Sequence, residues 1–425
     1  MPAGLDVPIL LRSLFDAALT AADPLQAVPA ALPPRPEGRV VIVGAGRAAP
    51  RMARAALSAW GPCEGLVLAT PDGEAAPLPD LTVIAPASNA AALEGTRQML
   101  DLLATCGEGD TVLGLISARA SGLLAAPIDG ISLSDRQALE AALMGAGAPR
   151  AQVALVRKHL SRVAGGRLAA AAAPARMLTL VLADGAVTDT SVIGDGATLG
   201  ETSTPQDALD VLDHWWMDAP AHLRAALAQA APPPGPDDPA LARATTRIVG
   251  TAAQALAAAG DVAIAAGCRV EILGTHIEGE ATKLAQEHAQ QVRRTRLAPG
   301  SAPLVLLSAG ALRTGDLGPQ QGLGGPNAEY ALALGMALEG RDNVWAIACD
   351  TDGIDGTAPV AGAMIGPDFA DRVARAGVNP RRALVTHDAH SFFATIGGQV
   401  VTGPTHTNVA DFRAILILPA PRPAP

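Results

Sequence analysis

Short runs of apolar, mostly β-branched or leucine residues recur along this chain between helical stretches, and that alternation is the strongest constraint on its fold. Val40-Val41-Ile42-Val43 is the first clear run, with Gly44 and Gly46 directly behind it and then a helix carrying Met52, Ala55, Ala56 and Trp60 on one face. Further runs lie at 65–69, 81–85, 111–116 and 177–182, then at 270–273, 304–307, 344–348 and 415–418. Strands apolar on both faces, separated by helices, belong in mostly parallel sheets flanked by helices. Ser132-Leu133-Ser134-Asp135 signals the start of a helix over 131–147, and another beginning near Gln152 carries Arg157, Lys158 and His159. Periodicity predicts further helices over 241–259 and 278–296. The proline-rich stretch from Pro232 to Pro239 lacks backbone donors and reads as a linker or crossover. At 425 residues the chain exceeds what one core usually serves. The expectation is an α/β protein of two domains, 1–235 and 236–425, with the active-site cleft between them.

Composition narrows the function. With 49% hydrophobic residues the chain has ample material for aliphatic cores, and its net charge of −10 argues against non-specific binding of nucleic acid or anionic membrane. A small anionic substrate is compatible with that charge, because arginines and helix N-termini act at short range. No apolar stretch reaches the ~18 residues of a spanning helix. The start of the chain reads as an amphipathic surface helix and lacks the features of a signal peptide. Cys63, Cys106, Cys268 and Cys349 form no paired motif and read as small buried hydrophobes, so a cytoplasmic location is expected.

Three loops carry candidate chemistry. Gly44-Ala45-Gly46-Arg47, between strand and helix, suits close approach of a phosphate or carboxylate first, with a tight packing turn as the other reading. A dinucleotide fingerprint is poorly met, because Ala49 holds the place of its third glycine and only Thr70 and Asp72 lie near its acidic position. Ser117-Ala118-Arg119-Ala120-Ser121 offers hydroxyls and a guanidinium at another strand end. Asp350-Thr351-Asp352-Gly353-Ile354-Asp355-Gly356 places three carboxylates behind an apolar strand, which suits Mg2+ held by one or two of them with nucleotide phosphate completing the shell. A solvated turn with capping aspartates is the other reading of that loop.

Together these pieces resemble the glycerate 2-kinase family, whose C-terminal half carries the MOFRL motif. The resemblance runs from about Leu10 to Leu418. It is carried by Val156-Arg157-Lys158-His159-Leu160-Ser161, Ile277-Glu278-Gly279-Glu280-Ala281, the aspartate loop, Thr402-Gly403-Pro404-Thr405 and Asp411-Phe412-Arg413-Ala414. It implies an ATP- and Mg2+-dependent transfer to the 2-hydroxyl of D-glycerate or a related small hydroxy acid. The implied catalytic residues are Arg47, Asp184 and Asp350. Gly44, Gly46, Ser117, Arg119, Ser121, Ser308, Gly310, Asn327 and Glu329 are implied for nucleotide binding, and Arg157, Lys158 and Asn408 for the substrate. Asp350, Asp352 and Asp355 are implied for the metal, and a homodimer is expected.

Several positions leave the family pattern. Arg47 stands for a lysine, and Pro326 for an arginine that steadies the transferring phosphate. Ala118 and Ala120 stand for loop glycines, with Arg119 among them, and Ala183 to Thr188 keep only the first aspartate of their loop. Phosphoryl transfer relies on positioned cations, so the departures predict weak or redirected activity. A non-catalytic metabolite-binding homologue and a different reaction on a related acid stay open; relatives are also called hydroxypyruvate reductases.

Overall fold

The computed structural model describes residues 5–71, 78, 80–182, 189–216, 218–315, 322–338, 341–405 and 407–420. The chain divides into two compact units, one of Pro24–Val249 and one of Met1–Asp23 with Gly250–Pro425. In the first, β1 (Val40–Ala45), β2 (Glu64–Leu68), β3 (Leu81–Ile84), β4 (Thr111–Ile116), β5 (Arg176–Leu182) and β6 (Ala244–Val249) build one sheet. Its order is β3-β2-β1-β4-β5-β6 and every pair is parallel. Aliphatic cores cover both faces: Val41, Val43 and Met99 lie in one, Ile42, Met52 and Leu113 in the other. The chain leaves β1 toward β2 and β3 on one side and comes back to β4 on the other. At such a switch point the loops diverge and leave a crevice outside the strands' carboxyl ends.

Two sequence expectations change here. Residues 241–259 are not one helix: Thr245, Thr246, Ile248 and Val249 are β-branched and pair with β5, Gly250 turns at φ +63°, and Thr251 caps the helix Ala252–Ala265 with Gln254. The proline-rich stretch is no free linker. A Cβ on Gly165 would meet Pro233, one on Gly200 would meet the backbone of Pro236, and Glu201 N–H donates to the Pro234 carbonyl. The chain therefore changes unit at 249/250, not at 235/236.

The second unit contains β7 (Arg269–Gly274), β8 (Gly279–Glu280), β9 (Leu304–Gly310), β10 (Leu312–Arg313), β11 (Val344–Asp350), β12 (Gly362–Ile365), β13 (Gln399–Val400) and β14 (Asp411–Ile417). β8 and β10 pair alone, and the others form a sheet in the order β13-β12-β11-β14-β9-β7. Two α/β units flanked by helices are thus as the alternation predicts. Strand direction differs between them, for in this second sheet only β7 and β9 run parallel. A strand buried on both faces has the same apolar pattern in either direction. The N-terminal helix Val7–Ala22 belongs to this unit: Phe15 packs on Phe412 with ring centroids 5.6 Å apart, and the Thr407 hydroxyl donates to the Ala22 carbonyl. Among the described residues no helix is long and apolar enough to cross a membrane.

Candidate active site

In the first unit β1 runs into Gly44-Ala45-Gly46-Arg47, ahead of the helix Ala49–Trp60. Gly46 has φ +127°, and a Cβ there would lie 2.3 Å from Ser117 Oγ, so close approach of the loop after β4 requires glycine. Gly44, Gly46 and Ser117 therefore come together, but not as an open phosphate cradle. Gly46 N–H donates to Leu68 O at 3.0 Å, Arg47 N–H to Ala118 O at 2.9 Å and Ala49 N–H to Gly46 O at 3.3 Å. Ala48 N–H donates to Ser117 Oγ at 3.0 Å. Every amide from Gly46 to Ala49 already has a protein acceptor, which leaves none for a pyrophosphate.

Arg157 and Lys158, expected at the substrate, are committed elsewhere. Arg157 donates through Nε (3.1 Å) and Nη2 (2.5 Å) to Asp195 Oδ1, and through Nη1 to Glu140 at 2.6 Å. Lys158 Nζ meets Glu201 at 2.6 Å with little of either side chain exposed. Burial raises the Glu201 carboxyl, yet the Lys158 and Ser203 bonds outweigh it and hold the group at about 2. These cations are paired inside the fold with Asp195, Glu140 and Glu201. The sequence reading gave Asp195 no role, although it is 3% exposed and its backbone is left-handed at φ 52°, between Gly194 and Gly196 with the same sign. The available signal is a Gly-Asp-Gly triplet, a sequence that tolerates a left-handed turn. Burial raises the Asp195 carboxyl, opposed by Arg157, Arg136 and Ser121.

In the second unit β9, β14 and β11 align Gly310, Asp411 and Asp350 in register. Asp350 Oδ1 accepts the Asp352 N–H at 2.9 Å, and Asp352 Oδ1 accepts that of Ile354 at 2.8 Å. Burial, and then the neighbouring Asp352, pushes the Asp350 carboxyl up to about 8. Asp355 does not join them. It is fully buried, and both its oxygens face the start of the helix Pro326–Ala337, accepting from Asn327 N at 2.9 Å, Asn327 Nδ2 at 3.2 Å and Ala328 N at 2.8 Å. It is a helix cap, and the metal expectation shrinks to Asp350 and Asp352. Among the described residues no three His, Cys, Asp or Glu side chains are placed to hold a metal together.

The cap also accounts for Asn327, whose Nδ2 reaches Asp411 Oδ1 at 2.7 Å. Asp411 Oδ2 in turn accepts Leu312 N–H at 2.6 Å and sits 3.4 Å from Arg413 Nη1. Ser308 Oγ accepts from Arg413 Nε at 3.1 Å. Glu329, 1% exposed, ties Gly315 N–H at 3.2 Å to His387 Nδ1 at 2.8 Å. A Cβ on Gly310 would lie 2.1 Å from Ile277 O, so that glycine answers to packing. Asn408 is exposed, and its Oδ1 holds the Ala410 N–H at 3.0 Å. Ser308, Gly310, Asn327 and Glu329 thus form internal joints where nucleotide contacts were expected. Asp411 and Arg413 were read only as part of a motif; a charged pair inside a strand otherwise apolar was the available signal. Asp184 lies outside the described residues.

Residues 10–228 match a domain described as a domain of unknown function, DUF4147, and residues 304–411 match the MOFRL family. A protein of Agrobacterium vitis named "Putative hydroxypyruvate reductase" is 40% identical, covering 96% of this chain and 94% of its own. The D-glycerate 2-kinase of Thermotoga maritima is 31% identical over 93% of this chain and 94% of its own. A crystal structure of glycerate kinase from Thermotoga maritima superposes with a TM-score of 0.88 at 30% identity, covering 96% of this chain and 99% of the other.

Proposed function

The chain belongs to the glycerate kinase family of DUF4147 and MOFRL proteins, and from that premise we propose that it is an ATP-dependent phosphotransferase acting on the 2-hydroxyl of D-glycerate or a related small hydroxy acid. The observation that carries this reading is likeness along the whole chain, through both units, rather than through one loop. Mg2+ and ATP follow as its cofactors. Asp350 and Asp352 fit the metal: burial and the neighbouring Asp352 penalise the charge on Asp350, which a divalent cation offsets. Bound there, Mg2+ would supply neutralisation of phosphate charge.

The chain's own residues carry the rest of the reading. Gly46 to Ala49 and the helix starting at Pro326 have no amides to offer, because Pro326 has no N–H and those of Asn327 and Ala328 are held by Asp355. Nucleotide oxygens are therefore met by side-chain cations, with Arg47 as the proposed catalytic one and Asp184 retained by family likeness. The reductase reading is disfavoured by the same amides, since a dinucleotide pyrophosphate is bound by such a turn. The test is incubation of purified protein with ATP, Mg2+ and D-glycerate, with phosphoglycerate resolved by NMR. 2-Phosphoglycerate is the expected product; NADH oxidation with hydroxypyruvate and no phosphoryl transfer would replace this reading with the other.

A further inference from the structure

The anion-binding groups that the sequence offered in the first unit are consumed internally, with one exception. Arg119 follows β4 at the switch point of the parallel sheet, where the order β3-β2-β1-β4 opens a crevice outside the strand ends. It is exposed, and while its carbonyl accepts from Gly122 N–H at 3.2 Å, its guanidinium has no hydrogen-bond or ion-pair partner among the described residues. Its backbone is left-handed, φ 68° and ψ 4°, a conformation that disfavours a side chain with a Cβ. The fold gains nothing from the arginine side chain and is strained by its backbone.

The loop is nonetheless held firmly from below. Arg136, 3% exposed, donates through Nη2 to the Ser121 carbonyl at 3.0 Å and through Nη1 to that of Leu124 at 3.2 Å. The buried Asp195 carboxylate on the neighbouring turn is held by Arg157 Nε and Nη2. A Cβ on Gly194 would lie 2.8 Å from Ile116 Cγ2, so the turn carrying Asp195 packs directly on the end of β4. Beyond the carboxyl end of β2, Thr70, 5% exposed, has a hydroxyl with no partner among the described residues. Strain that persists because the surroundings over-determine it is the pattern of a ligand contact.

We propose that Arg119 is the oxyanion receptor of this crevice, and that Arg136 is a positioning residue that fixes the loop on which it stands. The fork suits a carboxylate or a phosphate equally. The choice of D-glycerate and ATP as probes rests on the kinase reading.

The experiment is calorimetric titration of the full chain with D-glycerate and, separately, with ATP and Mg2+, for the wild type, Arg119→Gly and Arg119→Lys. Arg119→Gly is expected to lose about tenfold or more in affinity for one of the two ligands. The ligand affected identifies the source of the oxyanion. Relief of the left-handed strain should hold its Tm at the wild-type value or raise it by about 2 °C, which excludes misfolding as the cause. Arg119→Lys keeps the charge without the fork and should fall between. Affinities for both ligands within twofold of wild type, or a clear fall in the Tm of Arg119→Gly, overturn the proposal. Turnover is measured on the same samples. A chain that binds D-glycerate through Arg119 without phosphorylating it keeps the receptor and ends the kinase reading, whereas turnover indifferent to Arg119→Gly does the reverse.

Discussion

Replacing Asp355 by alanine separates a helix cap from a metal ligand. The carboxylate is fully buried and takes three donors, all from Asn327 and Ala328. Truncation leaves those donors buried without acceptors. A bond to a charged group contributes about 1.5–3 kcal/mol, and an unsatisfied buried donor costs about 1–3 kcal/mol. Against this stands the burial of the carboxyl itself, which pushes it up to about 7 and shows that holding the charge there is unfavourable. The difference is a net loss of about 3 kcal/mol, which for a unit of this size lowers Tm by about 6–12 °C. Scanning calorimetry with chelator present should show that fall, and added Mg2+ should shift the variant as far as it shifts the wild type. Asp352→Asn should behave oppositely, keeping its Tm in chelator and losing the Mg2+ response. An Asp355→Ala protein with unchanged Tm and no response to Mg2+ refutes the cap and returns Asp355 to the metal.

The acidic cluster also sets a pH dependence. With Asp350 at about 8 and Asp355 at about 7, the folded chain binds protons that the unfolded chain has released, so this contribution to stability is present at low pH and lost as pH rises through 7 to 8. Asp352, Asp411 and Arg413 surround these groups; Tm in chelator should be higher at pH 6 than at pH 8.5. Arg157→Leu leaves Asp195 buried without its main partner and should cost about 3–5 kcal/mol in urea unfolding. Loss of D-glycerate affinity without loss of stability would instead restore Arg157 to the substrate. Arg47→Lys combined with Pro326→Arg should raise phosphorylation of D-glycerate in a coupled assay, because together they return the point charge and the fork that the family pattern holds there.

Much of the first sheet could be read from the sequence, because strands such as β1 and β4 are continuous apolar runs closed by glycine or a small residue and followed by a helix. β4 has the bounds expected from the sequence, and β1 and β2 begin within a residue of theirs. β6 was missed because Ala244–Val249 lies between alanine-rich segments, and its exposed alternate positions blur the apolar pattern. The second sheet's directions were not legible, since burial on both faces erases that information. Site residues were identified by type and place, and what the sequence could not supply was whom they bond. A Gly-rich turn looks the same whether its amides face a phosphate or the next loop, and an aspartate behind a strand looks the same as ligand or cap. Hydrogen-bond partners arrive from segments far away in sequence, as Ser117 does for Ala48 and Asp355 for Asn327.

That distinction bears on how the family's chemistry can persist here. In the turn after β1 and, separately, at the start of the helix at Pro326, the backbone donors are satisfied by the protein itself. Satisfying them rigidifies each element and removes its capacity to receive phosphate through the backbone. The charge that phosphoryl transfer develops must then fall on side chains. At Pro326 the family's guanidinium is gone, while Arg47 and Arg119 follow β1 and β4 at the sheet's switch point. A guanidinium fork at a fixed backbone position favours static recognition of a planar oxyanion over following a moving phosphoryl group. The residue exchanges therefore push the site in one direction, toward firm binding of a small acid and away from fast transfer, and the ratio of binding to turnover is the quantity in which this chain should differ from relatives that keep the lysine and the arginine.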